Sequence, residues 1–311
     1  MQILSNKNGG MNMKRPVFEG SAVAIVTPFS KEGVDYKKLA ELVDFQLDNK
    51  TDAIVVCGTT GEASTMPDSE HLETIRFVID RVAGRIPVIA GTSSNDTAHG
   101  IELCKKATEL GADALLSVTP YYNKTSQEGL YRHFKLMAES TVLPIILYNV
   151  PSRTNLNINP QTARRLSEIP NIVAIKECNL LQVPEVARLC GDNLILYSGE
   201  DGLVVPMLSL GAKGVISVVA NIAPAQMSDL VHSYLDGDTR KSLQIQLDYL
   251  PLINALFSDV NPIPVKEALN ILGWEVGPCR MPLCEMSPEC HERLVCIMSQ
   301  YPLQEYSELH A

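Results

Sequence analysis

The chain has 311 residues, 45% hydrophobic and 20% charged, which suits one large α/β barrel with an appendage or two modest domains and leaves little room for disorder. A formal net charge of −10 with no block of lysines or arginines lacks the positive surface that grips a phosphate backbone, so nucleic acid is not an expected partner. No run approaches the roughly 18 apolar residues of a membrane span, and MQILSNKNGGMNMK is too polar for a secretion signal, which excludes a membrane role and points to the cytoplasm.

Residues 1–16 are expected to be a flexible extension. From there, short apolar runs alternate with longer helical stretches eight times. The predicted strands are SAVAIVTPF (21–29), DAIVVCG (52–58), IPVIAGT (86–92), ALLSVTP (114–120), PIILYNV (144–150), IVAIKEC (172–178), LILYSGE (194–200) and GVISVVA (214–220). Helix-like stretches follow them, such as DYKKLAELVDFQLDN and SEHLETIRFVIDRVAG, the second ending at Gly84 as a C-cap would. Eight such units close most simply into a (β/α)8 TIM barrel over 17–238. An open doubly wound sheet would ordinarily begin on a glycine-rich phosphate loop, and no G-x-G-x-x-G follows the first strand. Helical patterns near 224–236, 239–257, 264–272 and 288–300 supply the eighth barrel helix and a small C-terminal helical domain, 239–311.

Eight cysteines include no C-x-x-C, and Cys57, Cys104, Cys178 and Cys190 fall inside apolar patterns, as buried thiols do. Cys279, Cys284, Cys290 and Cys296 gather near His291 at spacings too wide for a zinc knuckle. The six histidines are scattered, with no H-x-H or H-E-x-x-H, so no metal and no cofactor is expected.

In a barrel of this kind, chemistry sits at the C-terminal ends of the strands. There the sequence carries GTTGE (58–62), TPYYNK (119–124), LYNVPSRT (147–154), Lys176 and SGED (198–201). Lys176 interrupts a run that reads as a buried strand, where an unpaired ammonium is costly. Either its head reaches solvent or pairs with Glu177, or desolvation leaves a neutral amine able to form a Schiff base with a carbonyl. GTTGE reads as a strand-to-helix turn with TMPD (65–68) capping the next helix, or as a cradle of hydroxyls and backbone N–H groups for a carboxylate. Tyr121, Tyr122 and Tyr148 are filler or hydroxyl donors, and Arg153 is a surface arginine or an anion holder. Converging on one rim, these groups suit imine formation with a keto acid.

GTTGE, VTPYYNK followed by SQEGLYRHF, LYNVPSRT, IKE, SGED and NPIPVKEAL occur in an order and spacing that resemble the dihydrodipicolinate synthases. These form the lysine-pathway branch of the pyruvate-dependent class I aldolase superfamily that includes N-acetylneuraminate lyase. The resemblance runs from about residue 17 to the last helices. It implies condensation of pyruvate with L-aspartate semialdehyde. Lys176 would carry the Schiff base, and Tyr148, Thr59 and Tyr122 the proton relay, with Tyr122 reaching into a neighbouring subunit's site. Thr60 would hold the pyruvate carboxylate, Arg153 that of the semialdehyde, and Gly199 and Ile216 would line the pocket through their backbones. The resemblance also implies a homotetramer built from two tight dimers.

A sugar-acid lyase of the same superfamily would need hydroxyl-binding groups where Arg153 stands. A barrel that only binds small molecules would be expected to lack Lys176 or a relay hydroxyl. In lysine-inhibited relatives the effector pocket uses positions matching Ser64, His71, Asn95 and Tyr121 here. A histidine is expected where Asp68 stands and a glutamate where His99 stands, so weak inhibition by L-lysine is expected.

Overall fold

The computed structural model describes residues 14–309. Eight strands lie where the apolar runs place them: β1 (Gly20–Ala24), β2 (Ala53–Val56), β3 (Val88–Gly91), β4 (Ala114–Val118), β5 (Ile145–Asn149), β6 (Ile172–Glu177), β7 (Ile195–Ser198) and β8 (Gly214–Ser217). All pair in parallel with their neighbours in sequence, and β1 closes the ring against β8, Gly20 opposite Gly214. The barrel is wrapped by α1 (Tyr36–Asp48), α2 (Asp68–Val82), α3 (Thr97–Glu109), α4 (Gln127–Glu139), α5 (Pro160–Ser167), α6 (Val183–Cys190), α7 (Val204–Ser209) and α8 (Pro224–Leu235). Residues 1–13 of the expected extension lie outside the described residues, and Lys14 Nζ donates to the main-chain oxygen of Ile169 at 2.8 Å.

Both faces of each strand are covered, which is why the strands read as unbroken apolar runs. Small residues such as Ala22, Ala53 and Ala114 point inward with Ile146, Tyr148 and Tyr197, while Val23, Ile54, Leu115 and Leu147 point out to the helices. Tyr197 plugs the interior by stacking on Phe18, with ring centroids 4.3 Å apart, and donating its hydroxyl to the Phe18 carbonyl at 2.7 Å.

Helix starts follow local chemistry. Asp35 accepts from the Lys38 N–H at 3.0 Å and Ser126 from the Gly129 N–H at 3.1 Å, each satisfying an orphan donor of the first turn. Two expected caps differ. TMPD forms no capping box, because α2 starts after Pro67 without a side-chain cap, and the Thr65 hydroxyl turns back to the Glu62 carbonyl at 3.0 Å. The left-handed turn that ends α2 begins at Ala83, one residue before Gly84, with φ 51°, and continues through Gly84 at φ 73°.

After β8, α9 (Thr239–Leu256) packs along α8, followed by α10 (Ile263–Ile271) and α11 (Pro288–Met298). These helices dock on the barrel through Trp274, which packs on Phe45 with centroids 4.8 Å apart. A buried ion pair adds to this: Lys266 Nζ lies 2.9 Å from Glu62 Oε1 and also donates to the carbonyls of Thr27 and Pro278. The Glu62 of GTTGE therefore faces the C-terminal helices. No helix among the described residues is long and apolar enough to cross a membrane.

Candidate active site

The orientation of Lys176 comes from an irregularity in its strand. Ile172 packs outward among the helices, so strict alternation would turn Ala174 and Lys176 outward too. Against β5 the register shifts instead: Ile145 faces Ile172, but Ile146 faces Ala174, leaving Val173 as an extra residue. Beyond the shift Ala174 joins the interior cluster, Lys176 pairs with Tyr148, and Glu177 is turned away from the interior.

Lys176 is 5% exposed, with Nζ 4.4 Å from the centroid of the Tyr148 ring. It forms no hydrogen bond or ion pair among the described residues, so neither a solvated head nor a pair with Glu177 explains it. Glu177 is held elsewhere, accepting from Asn149 Nδ2, the Asn179 N–H and Gln182 Nε2, each at 2.8 Å. Burial pushes the Lys176 ammonium well below the usual lysine range, with the thiol of Cys178 and the carboxylates of Asp201 and Glu200 pulling the other way. Burial likewise raises the Tyr148 phenol, against a smaller pull from the Thr59 hydroxyl.

A cavity of about 210 Å³ opens at Lys176, bordered by Thr59, Thr60, Tyr148 and Arg153 among others. This is smaller than the roughly 300–1,000 Å³ typical of drug-sized ligands, and suits small metabolites. Gly199 forms part of the wall of necessity: a Cβ there would lie 2.3 Å from Cys178 Sγ and 3.2 Å from Lys176 Cε. Its N–H donates to the Glu177 carbonyl at 2.9 Å. Arg153 rides on the single helical turn Pro151–Thr154 after β5, and its Nη2 donates to the Asn261 carbonyl at 3.1 Å. At the end of β7, buried Asp201 accepts from the Ser217 hydroxyl at 2.5 Å and the Val218 N–H at 2.9 Å, which ties β7 to β8.

Two expected site residues lie apart. Ile216 sits inside the barrel, 1% exposed, and does not border this cavity, whereas Val218 does. Tyr122 is 92% exposed at a φ of 69°, outside the cavity of its own chain. Several polar cavity residues were not expected as site residues. Cys178, expected as a buried structural thiol, borders the cavity, as do Glu200 and Asn261. For Cys178 a signal existed: it stands two residues beyond Lys176, where a strand returns to the same face.

A second cavity of about 390 Å³ adjoins the first, sharing Thr59, Tyr148 and Arg153, and is bordered by Ser64, His71 and Tyr121. His71 Nε2 lies 2.8 Å from the Gly91 carbonyl, and burial lowers its pKa. Asn95 does not border this cavity; its Nδ2 donates to the Tyr121 carbonyl at 3.2 Å. Across the cavity, His99 Nε2 lies 3.0 and 3.1 Å from the two carboxylate oxygens of Asp68. Among the described residues no group of three or more His, Cys, Asp or Glu side chains is disposed to hold a metal ion.

The family model described as "Dihydrodipicolinate synthetase family" matches residues 17–301. A 4-hydroxy-tetrahydrodipicolinate synthase of Acetivibrio thermocellus is 56% identical over 291 residues, covering 94% of this chain and 100% of the relative. The crystal structure of dihydrodipicolinate synthase from Aquifex aeolicus superposes with a TM-score of 0.91 at 46% identity, covering 93% of this chain and 100% of that one. The structure of DHDPS from Cyanidioschyzon merolae with lysine bound gives a TM-score of 0.89 at 41% identity, covering 92% of this chain and 98% of that one.

Proposed function

The chain belongs to the dihydrodipicolinate synthetase family, and from that membership we propose that it condenses pyruvate with L-aspartate 4-semialdehyde to 4-hydroxy-tetrahydrodipicolinate. The observation that carries this reading at the level of the site is Lys176: a buried amine without an ion pair among the described residues, at the mouth of the barrel beside Tyr148.

Desolvation keeps the amine neutral, so it attacks the C2 carbonyl of pyruvate. The carbinolamine loses water to give an iminium ion, and loss of a C3 proton gives the enamine. Tyr148, Thr59 and Tyr122 move these protons; a chain of hydroxyls does so without a buried charge. Thr60 donates to the pyruvate carboxylate and Arg153 to that of the aldehyde. The enamine C3 attacks the aldehyde carbon, and the substrate's own amine then adds to C2, closing the ring and releasing Lys176. Gly199 leaves room for the lysine chain, and Ile216 packs beneath.

The exposure of Tyr122 supports its use by a second copy of the chain, in a homotetramer of two tight dimers. The barrel, 17–238, carries the chemistry, the helices from 239 onward brace it, and the enzyme works in the cytoplasm in the lysine and diaminopimelate route. Mixing the enzyme and pyruvate with each of L-aspartate semialdehyde and N-acetylmannosamine, and following product formation, tests the reading. Turnover of the semialdehyde alone is expected; turnover of the sugar alone, or of neither, would overturn it.

A further inference from the structure

Asn261, in the loop between α9 and α10, brings a side chain of the C-terminal helices to the cavity that holds Lys176. It is 7% exposed. Its Nδ2 donates to Thr60 Oγ1 at 3.0 Å, and its main-chain oxygen accepts from Arg153 Nη2. The remaining side-chain atom, Oδ1, is buried and accepts no hydrogen bond among the described residues. Few buried acceptors are left this way in native proteins, because each unmade bond is expensive.

The orientation of the amide matters here, since oxygen and nitrogen are assigned from their partners. With Nδ2 toward Thr60, the Thr60 hydroxyl accepts from Asn261 and keeps its own proton for a carboxylate in the cavity. The reverse orientation would draw that proton onto Asn261. The first arrangement therefore serves pyruvate binding and leaves Oδ1 in want of a donor.

We infer that Asn261 Oδ1 accepts a hydrogen bond from the α-ammonium group of the aldehyde substrate, which makes Asn261 a specificity-determining residue. The inference rests on the reading in which Arg153 holds that substrate's carboxylate. Ammonium and carboxylate leave the same carbon, so the ammonium's partner must stand beside Arg153, and Asn261 is the residue Arg153 touches. Oδ1 is covered from solvent, so contact requires the amide to turn about its Cβ–Cγ bond, a broad and soft torsion in asparagine. Glu200 is the carboxylate that borders this cavity, but it takes the Cys178 thiol and lies toward Lys176.

The test compares L-aspartate semialdehyde with succinate semialdehyde, the same chain without the amine, as second substrate for the pyruvate-charged full-length enzyme. Condensation is followed in a single turnover as the decay of the pyruvyl adduct, read by borohydride quench and intact mass, because the amino aldehyde leaves the lysine on ring closure while succinate semialdehyde stays attached. Wild type is expected to prefer the amino aldehyde. Asn261→Ala should cut that preference by about 10- to 100-fold, the size of a charge-assisted hydrogen bond, with the rate for succinate semialdehyde changed far less. Asn261→Leu keeps the bulk should the alanine variant not fold. Asn261→Asp, which retains an acceptor, should keep the preference while lowering pyruvate imine yield, because a carboxylate there repels the keto acid. An unchanged preference in the alanine or leucine variant, or its collapse in Glu200→Gln alone, would overturn the inference while the reaction itself stands. A wild-type enzyme that never condenses the amino aldehyde would overturn the underlying reading as well.

Discussion

Lys266, in the C-terminal helices, sets its ammonium 2.9 Å from the carboxylate of Glu62, and both side chains are almost wholly buried. The other Glu62 oxygen accepts the Arg280 N–H at 2.8 Å, and the Arg280 guanidinium reaches Glu70 on α2. The last residue of the GTTGE turn thus anchors the helices that deliver Asn261 to the rim.

Breaking a buried pair from one side leaves an uncompensated charge and costs about 3–5 kcal/mol. Lys266→Met is therefore expected to lower unfolding stability in urea by about that amount and to reduce turnover through displacement of the α9–α10 loop. Glu62→Gln with Lys266→Met together should recover much of the loss. A single-variant effect below about 1 kcal/mol would contradict this role.

Arg153→Ala should act on the second substrate. Imine formation with pyruvate survives, while specificity for aspartate semialdehyde falls on the order of 100-fold, the size expected for a truncated charge-assisted contact. Steady-state kinetics with each substrate varied in turn decide this; unchanged kinetics for the aldehyde would refute the assignment.

Inhibition by L-lysine is expected to be weak. The pocket offers a histidine at position 99, and Asp68, the carboxylate beside it, is already paired with that histidine. An imidazole, neutral or cationic, cannot replace a carboxylate as the charge partner of a lysine ammonium, and loss of such a pair in a partly buried pocket costs about 2 kcal/mol or more. Titration of lysine at saturating pyruvate checks it: half-inhibition at submillimolar lysine would show that Asp68 leaves His99 for the ligand.

His133 gives the fold a sensitivity to acid. It is 5% exposed, its Nδ1 lies 2.9 Å from the Thr97 hydroxyl, and its Nε2 has no partner among the described residues. Burial lowers its pKa from 6.5 to about 4. At this site the folded state thus binds fewer protons than the unfolded chain between those values, so the contribution of a neutral His133 to stability is full above about pH 6.5 and is lost as pH drops toward 4. The loss is on the order of 3 kcal/mol. Urea midpoints measured across this range should fall more steeply for wild type than for His133→Gln; parallel curves would contradict the assignment.

The barrel was legible because strands covered on both faces leave a signal that needs no knowledge of their partners. Their ends were not: the run 21–29 continues past the end of β1 at Ala24, because Ile25 and Val26, as loop residues, and Phe29, in a two-residue hairpin strand, pack in the core as well. The direction of Lys176 was equally hidden. Nothing in IVAIKEC marks Val173 as the extra residue that reverses the alternation. Asn261 lies 201 residues from Thr60, so their contact is a product of the closed fold. Adjacency in GTTGE gives no hint that the threonines face the cavity while Glu62 faces Lys266.

Catalysis by this barrel depends on Lys176 as the nucleophile. Borohydride reduction in the presence of pyruvate, followed by intact-mass and peptide analysis, tests this directly. One pyruvyl adduct per chain is predicted, on Lys176. It should be absent from Lys176→Ala and from Lys176→Arg, whose guanidinium stays protonated and cannot attack. No adduct on the wild-type protein, or an adduct on another lysine, would contradict the account.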